Sequence, residues 1–177
     1  MTTIHPTRET LDAALEAVRS SPSIEGRVEL IVRRPEVGER EVVEAAVLDL
    51  DEGLIGDGWS RRGSANPDAQ LTLMNVHAVH AVATTRDRWP LAGDQIYVDL
   101  DLSVENLPPG TRLSIADAMI EVTHEPHTGC SKFSERFGSD AIRLVNKSPG
   151  RELRLRGLNA RIVEGGTIRV GDTVTRR

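Results

Sequence analysis

The chain has 177 residues, 28% charged and 38% hydrophobic, with a formal net charge of −5. These values describe one soluble globular domain with length enough for a substantial core, and they give no sequence-independent attraction to nucleic acid or an anionic membrane. No apolar run reaches membrane-spanning length, Met1–Thr10 lacks the apolar core of a signal peptide, and a single cysteine excludes an internal disulfide and suits a reducing, cytoplasmic setting. Aromatics make up only 3%, so the core must rest on Val, Leu, Ile and Ala.

In chain order, Thr7-Arg8-Glu9-Thr10 opens a helix over residues 7–20 that places Leu11, Ala14, Leu15 and Val18 on one face. This helix and its lead-in, residues 1–26, are expected to pack against a body formed by residues 27–177. The period then switches to two, and residues 27–34 and 41–50 read as a hairpin around Pro35-Glu36-Val37-Gly38. A Gly-rich loop over 53–63 leads into a strand at 70–74, a helix at 75–84 and a strand at 96–102. A turn at Leu107-Pro108-Pro109-Gly110-Thr111 precedes one long strand over 112–123. Helices are expected at 131–137, with Phe133 and Phe137 on one face, and at 140–146. Residues 152–163 and 167–175 read as a closing hairpin around Glu164-Gly165-Gly166. Many short strands, Gly/Pro turns and few helices predict a mainly β protein, a β-barrel with a few peripheral α-helices. The Gly-rich loop fits neither a dinucleotide fingerprint nor a Walker phosphate loop.

The stretch richest in chemistry is His124-Glu125-Pro126-His127-Thr128-Gly129-Cys130-Ser131-Lys132-Phe133. Pro126 and Gly129 end a strand, so Cys130 falls at a strand-to-helix corner, where unpaired amides and the helix dipole favour an anion. With Lys132 and two imidazoles close in sequence, the thiol is expected to ionise easily, and the thiolate attacks electrophiles, carries sulfur and binds soft metals. The alternative is a small buried apolar cysteine. The His124-x-x-His127-x-x-Cys130 spacing also suits a zinc or iron site, with His124 and Cys130 as metal ligands, while His127 can instead serve the thiol as a base. Asp57, Arg61 and Arg62 in the Gly-rich loop offer a phosphate site or merely a solvated basic loop. Arg154 and Arg156 share a face if their segment is a strand, and Asn159 is a further candidate cofactor contact.

Three blocks resemble the MOSC domain, named for the C-terminal domain of molybdenum-cofactor sulfurases. They are Gly53-Leu54-Ile55-Gly56-Asp57-Gly58, the run from Leu107 through Glu121-Val122-Thr123 to Cys130, and Arg156-Gly157-Leu158-Asn159 through Val170-Gly171-Asp172. The chain departs from the family where Trp59 follows Gly58 in place of a histidine, where Pro126-His127-Thr128-Gly129 precedes the cysteine, and around Gly93-Asp94-Gln95-Ile96, which lacks an Arg-Glu-Asn-Leu run. The resemblance implies a barrel of the pyruvate-kinase type. It also implies that Cys130 ligates the molybdenum of a pterin cofactor or carries sulfur as a persulfide; pyridoxal phosphate is a further family-level association. Catalytic roles then fall to Cys130, His127 and Lys132, and cofactor contacts to Asp57, Arg61, Arg62, Arg156 and Asn159. Expected partners are a small-molecule or sulfur-donor substrate and a redox or sulfur-transfer protein, with neither nucleic acid nor membrane. A cofactor-free binding barrel and a His/Cys zinc hydrolase are the alternatives.

Overall fold

The computed structural model describes residues 4–63 and 65–177. Helix α1 (Arg8–Arg19) starts where Thr7 Oγ accepts from the Thr10 amide, and it buries Leu11 and Val18. The strands are β1 (Glu25–Arg33), β2 (Glu41–Val43), β3 (Ala45–Asp49), β4 (Gly53–Leu54), β5 (Leu71–Asn75), β6 (Ile96–Val98), β7 (Arg112–Ile115), β8 (Ala118–Val122), β9 (Leu158–Glu164), β10 (Gly166–Arg169) and β11 (Thr173–Arg176). Helices α2 (Val76–Ala83), α3 (Ser131–Phe137) and α4 (Ser139–Asn146) join α1 outside the sheets.

Strands β1, β11, β7, β8, β9, β5 and β6 hydrogen-bond in that order, and β6 returns to β1, closing the barrel. Closure leaves these seven strands without a free edge. All pairings are antiparallel except β5–β6, which is parallel and needs a crossover. That crossover is α2 followed by the 3-10 segment Arg86–Ala92. A separate small sheet, β10-β3-β4, lies beside the barrel.

Two apolar cores result. Val28, Ile31, Leu71, Leu73, Ile96, Leu113 and Ile120 fill the barrel. Leu11, Leu30, Val32, Val79, Tyr97, Phe133 and Phe137 form a second layer between the barrel wall and the helices. Strand β1 serves both, sending Ile31 inward and Leu30 and Val32 under the helices. Burial on both faces explains its nearly continuous apolar run, and each such side chain contributes about 1.5–3 kcal/mol. Among the described residues no helix is long and apolar enough to cross a membrane.

The fold corrects three readings of the sequence. The strand expected over 112–123 is the hairpin β7–β8, turned at Ala116 (φ +49°) and Asp117 with no glycine or proline to mark it. Strands β9 and β10 are consecutive but do not pair: β9 lies between β8 and β5, while β10 joins β3. Residues 151–156 form turns rather than strand, and Arg154 adopts φ +48°, so Arg154 and Arg156 share no strand face.

Candidate functional site around Cys130

After β8 the chain crosses the end of β9 as an irregular strap and enters α3. Asn159 fixes the strap by donating from Nδ2 to the carbonyls of Glu125 and Pro126, both at 3.2 Å. Asn146 closes a two-way amide pair with the Gly129 backbone at 2.8 and 3.0 Å. Phe133 and Phe137 are buried and meet edge to face at 4.9 Å, which sets the rotation of α3. Cys130 is therefore held at the N-cap position, with its thiol exposed. Partial burial opposes ionisation there, but the amides of Phe133 and Lys132, then the Arg156 charge, outweigh it and hold the thiol below its usual range. Lys132 acts on the sulfur through its amide, and its own side chain is exposed.

Beside the strap lies a buried charge cluster. Asp94 is fully buried and receives Arg156 Nη1 at 2.5 Å and meets His127 Nε2 at 2.8 Å. Burial alone would raise the Asp94 carboxyl; the Arg156 charge first, then His127, and the hydrogen bonds to both reverse that and hold it at about 2. Burial and the Arg156 charge push the His127 imidazole down, so it is neutral near pH 7. An ionised Asp94 only accepts, so Nε2 of the neutral ring carries the proton and Nδ1 is left as an acceptor. Gly157 approaches this cluster at φ +105°, where a Cβ would lie 2.2 Å from the Leu73 carbonyl oxygen and 3.2 Å from His127 Cδ2. A side chain at 157 cannot be fitted, which accounts for glycine there.

His124, His127, Arg151, Arg154, Arg156 and Asn159 contribute to a cleft of about 290 Å³. Arg154 spends one nitrogen on the Leu102 and Leu107 carbonyls, and Arg151 is exposed. Cys130 stands just past the lining Thr128, outside the cleft itself.

The sequence candidates separate into two groups. Cys130, His127, Arg156 and Asn159 come together at the strap, with His124 on the cleft wall. Among the described residues no three His, Cys, Asp or Glu side chains are grouped to hold a metal ion, so the structure does not assemble His124, His127 and Cys130 as a ligand set. Asp57, Arg61 and Arg62 do not line the cleft. The Asp57 carboxylate is buried and fully engaged by Arg34 Nε and Nη2, at 3.0 and 2.9 Å, and by the amides of Arg34 and Trp59. Arg61 turns to the Pro35 carbonyl and Glu36, and Arg62 is exposed. Asp57→Ala is accordingly expected to lower stability by about 3 kcal/mol or more, because it strands the largely buried Arg34. Arg62→Ala should change stability by less than about 0.5 kcal/mol. Urea denaturation of both variants checks the contrast.

Residues that the sequence reading passed over are Asp94 and Gln95. The stretch noted for a missing polar run supplies a buried carboxylate at Asp94 and, at Gln95, an amide oxygen that accepts from the Thr72 amide at 2.8 Å. The available signal was a Gly-Asp-Gln run placed directly before the apolar run Ile96-Tyr97-Val98.

A closed β-barrel with one exposed cysteine at the start of an outer helix, beside a basic cleft, defines the class of domain. A family model for the MOSC domain matches residues 48–175, and the chain belongs to that family. Among solved structures, the chain resembles the YuaD protein from Bacillus subtilis, with a TM-score of 0.63, 14% identity, and 85% of this chain and 94% of that one covered. It also resembles YiiM from Escherichia coli, with a TM-score of 0.56, 21% identity, and 85% and 69% covered. YiiM from Geobacillus stearothermophilus gives a TM-score of 0.55 at 15% identity, covering 86% and 73%. No curated protein matches the chain.

Proposed function

We propose that this MOSC protein binds a molybdenum-pterin cofactor, with the Cys130 thiolate as the sulfur ligand to the metal. The observation that carries the reading is the exposed thiol held at the start of α3, its ionisation favoured by the Lys132 and Phe133 amides and by Arg156. The residues present fit such a group. A thiolate is a soft ligand suited to such a metal, and Arg151, Arg154 and Arg156 give the adjoining cleft the positive charge that an anionic pterin phosphate requires. When bound, the cofactor would supply two-electron redox chemistry at the metal. The chain's own part is to favour ionisation of Cys130, to hold Arg156 in place through buried Asp94, and to offer His127 Nδ1 as a proton acceptor on the cleft wall. His124 and Asn159 shape that wall, and Asn159 acts through the strap carbonyls it holds.

The reading is tested by pterin content. Protein purified from a host that makes the cofactor should yield close to one pterin per chain, measured as its fluorescent oxidation product. Protein from a host blocked in cofactor synthesis should yield none. Absence of pterin from both overturns the proposal.

One observation supports a second reading: the thiol stands outside the cleft, where a sulfur-donor protein can reach it. In that reading the Cys130 thiolate attacks the terminal sulfur of a donor persulfide, the donor S–S bond breaks, and the donor leaves as a thiolate. Cyanide-releasable sulfur on the purified protein, lost in Cys130→Ala, is its signature.

A further inference from the structure

The segment Arg86–Ala92 and its cap residue Gly93 end in four consecutive carbonyls, and a different arginine grips each of them. Arg40 Nε donates to Pro90 at 3.1 Å, Arg136 Nη1 to Leu91 at 2.8 Å, Arg156 Nη2 to Ala92 at 3.0 Å and Arg34 Nη1 to Gly93 at 3.0 Å. Carbonyls at the end of a helical turn carry partial negative charge and attract cations, but they do not neutralise them. Two carboxylates serve the group, Asp57 on Arg34 and Asp94 on Arg156. Arg40 and Arg136 have no acidic side chain within 4.0 Å among the described residues. Two guanidinium groups on neighbouring carbonyls are thus left uncompensated, and both are only partly exposed. Burial first, and then the Arg136 and Arg34 charges, depress the Arg40 guanidinium below the usual arginine range.

The space beside Arg40 is open. Gly93 sits at φ +91°, and a Cβ built on it would meet only Arg40 Nη2, at 3.4 Å. Arg40 uses Nε on Pro90 and Nη1 on the Glu39 carbonyl, which leaves Nη2 facing this notch. Arg136 uses only Nη1. Planar guanidinium groups with unspent N–H donors, held by backbone and lacking a carboxylate, match the oxygens of a tetrahedral oxyanion. Neither Arg40 nor Arg136 lines the cleft at the strap, so this is a second location.

We propose that Arg40 and Arg136, on the neighbouring Pro90 and Leu91 carbonyls, form an oxyanion site that takes a phosphate group, either free or as the exposed end of a phosphate monoester. The site rests on this arginine pair and not on the role given to Cys130. The test is thermal unfolding and titration calorimetry at constant ionic strength, with inorganic phosphate and phenyl phosphate as probes and chloride as the reference. Phosphate should raise the melting temperature saturably in the unaltered protein and in Cys130→Ala alike. Arg40→Gln and Arg136→Gln should each weaken binding at least about tenfold, equivalent to about 1.4 kcal/mol. Binding of phosphate but not of phenyl phosphate identifies a free-ion site, and tight binding of both identifies a site for phosphate esters. A response to phosphate no larger than to chloride, or one undiminished in both glutamine variants, overturns the proposal.

Discussion

Arg156→Ala is expected to lower the free energy of unfolding by about 3–5 kcal/mol, the range for breaking a buried ion pair from one side. The reason lies in what the substitution leaves behind. The Asp94 carboxylate has no exposed surface, and it is left with one side-chain partner, His127, whose own burial opposes charging. Arg156 also donates to the Ala92 carbonyl, and its guanidinium lies 5.1 Å over the Phe133 ring, so packing is lost with the charge. Replacing both members of the pair, Arg156→Met with Asp94→Leu, removes the stranded charge and should cost less than Arg156→Ala alone. Urea midpoints, with an unchanged slope, measure the difference. A double variant as damaged as the sum of the singles contradicts the account of Asp94 as a buried, ionised anchor.

Cys130→Ala is expected to do the reverse, with stability unchanged to within about 0.5 kcal/mol and all thiol-dependent function lost. The side chain is exposed at a helix N-cap and closes no capping hydrogen bond, so the fold loses little with it. What the sulfur contributes is a low-lying thiolate. In the unaltered protein, alkylation by iodoacetamide should rise with pH to a midpoint below that of the urea-unfolded chain, which lies at about 8.5. Arg156→Gln should move the native midpoint upward, since Arg156 is the charged side chain among the groups that stabilise the anion. A native midpoint at or above the unfolded value sinks the claim.

Much of the local structure was legible. The Thr7 cap and the apolar face of α1, the two phenylalanines of α3 and the placement of Cys130 at a strand-to-helix corner all follow from short-range chemistry. The barrel class followed from strand and turn density. What was not legible depends on contacts distant in sequence. The β7–β8 turn uses alanine and aspartate, and nothing in Ile115-Ala116-Asp117-Ala118 announces a reversal. Strands β9 and β10 sit in different sheets because β3 and β5 compete for them, which periodicity cannot register. Asp94 meets His127 and Arg156 across separations of 33 and 62 residues, so a lone acid after a glycine reads as a turn. Asp57 shows the opposite error. Its setting in a Gly-rich loop suggested an exposed ligand contact, whereas Arg34, 23 residues earlier and just after β1, consumes its carboxylate.

The most direct test of the central claim is molybdenum per chain, by elemental mass spectrometry, in the unaltered protein and in Cys130→Ser, both purified from a cofactor-producing host. Close to one metal per chain is expected in the unaltered protein, with loss of it in a serine variant that is fully folded. Equal molybdenum in the two proteins, or none in either from a host shown to load other molybdenum proteins, contradicts Cys130 as the metal ligand.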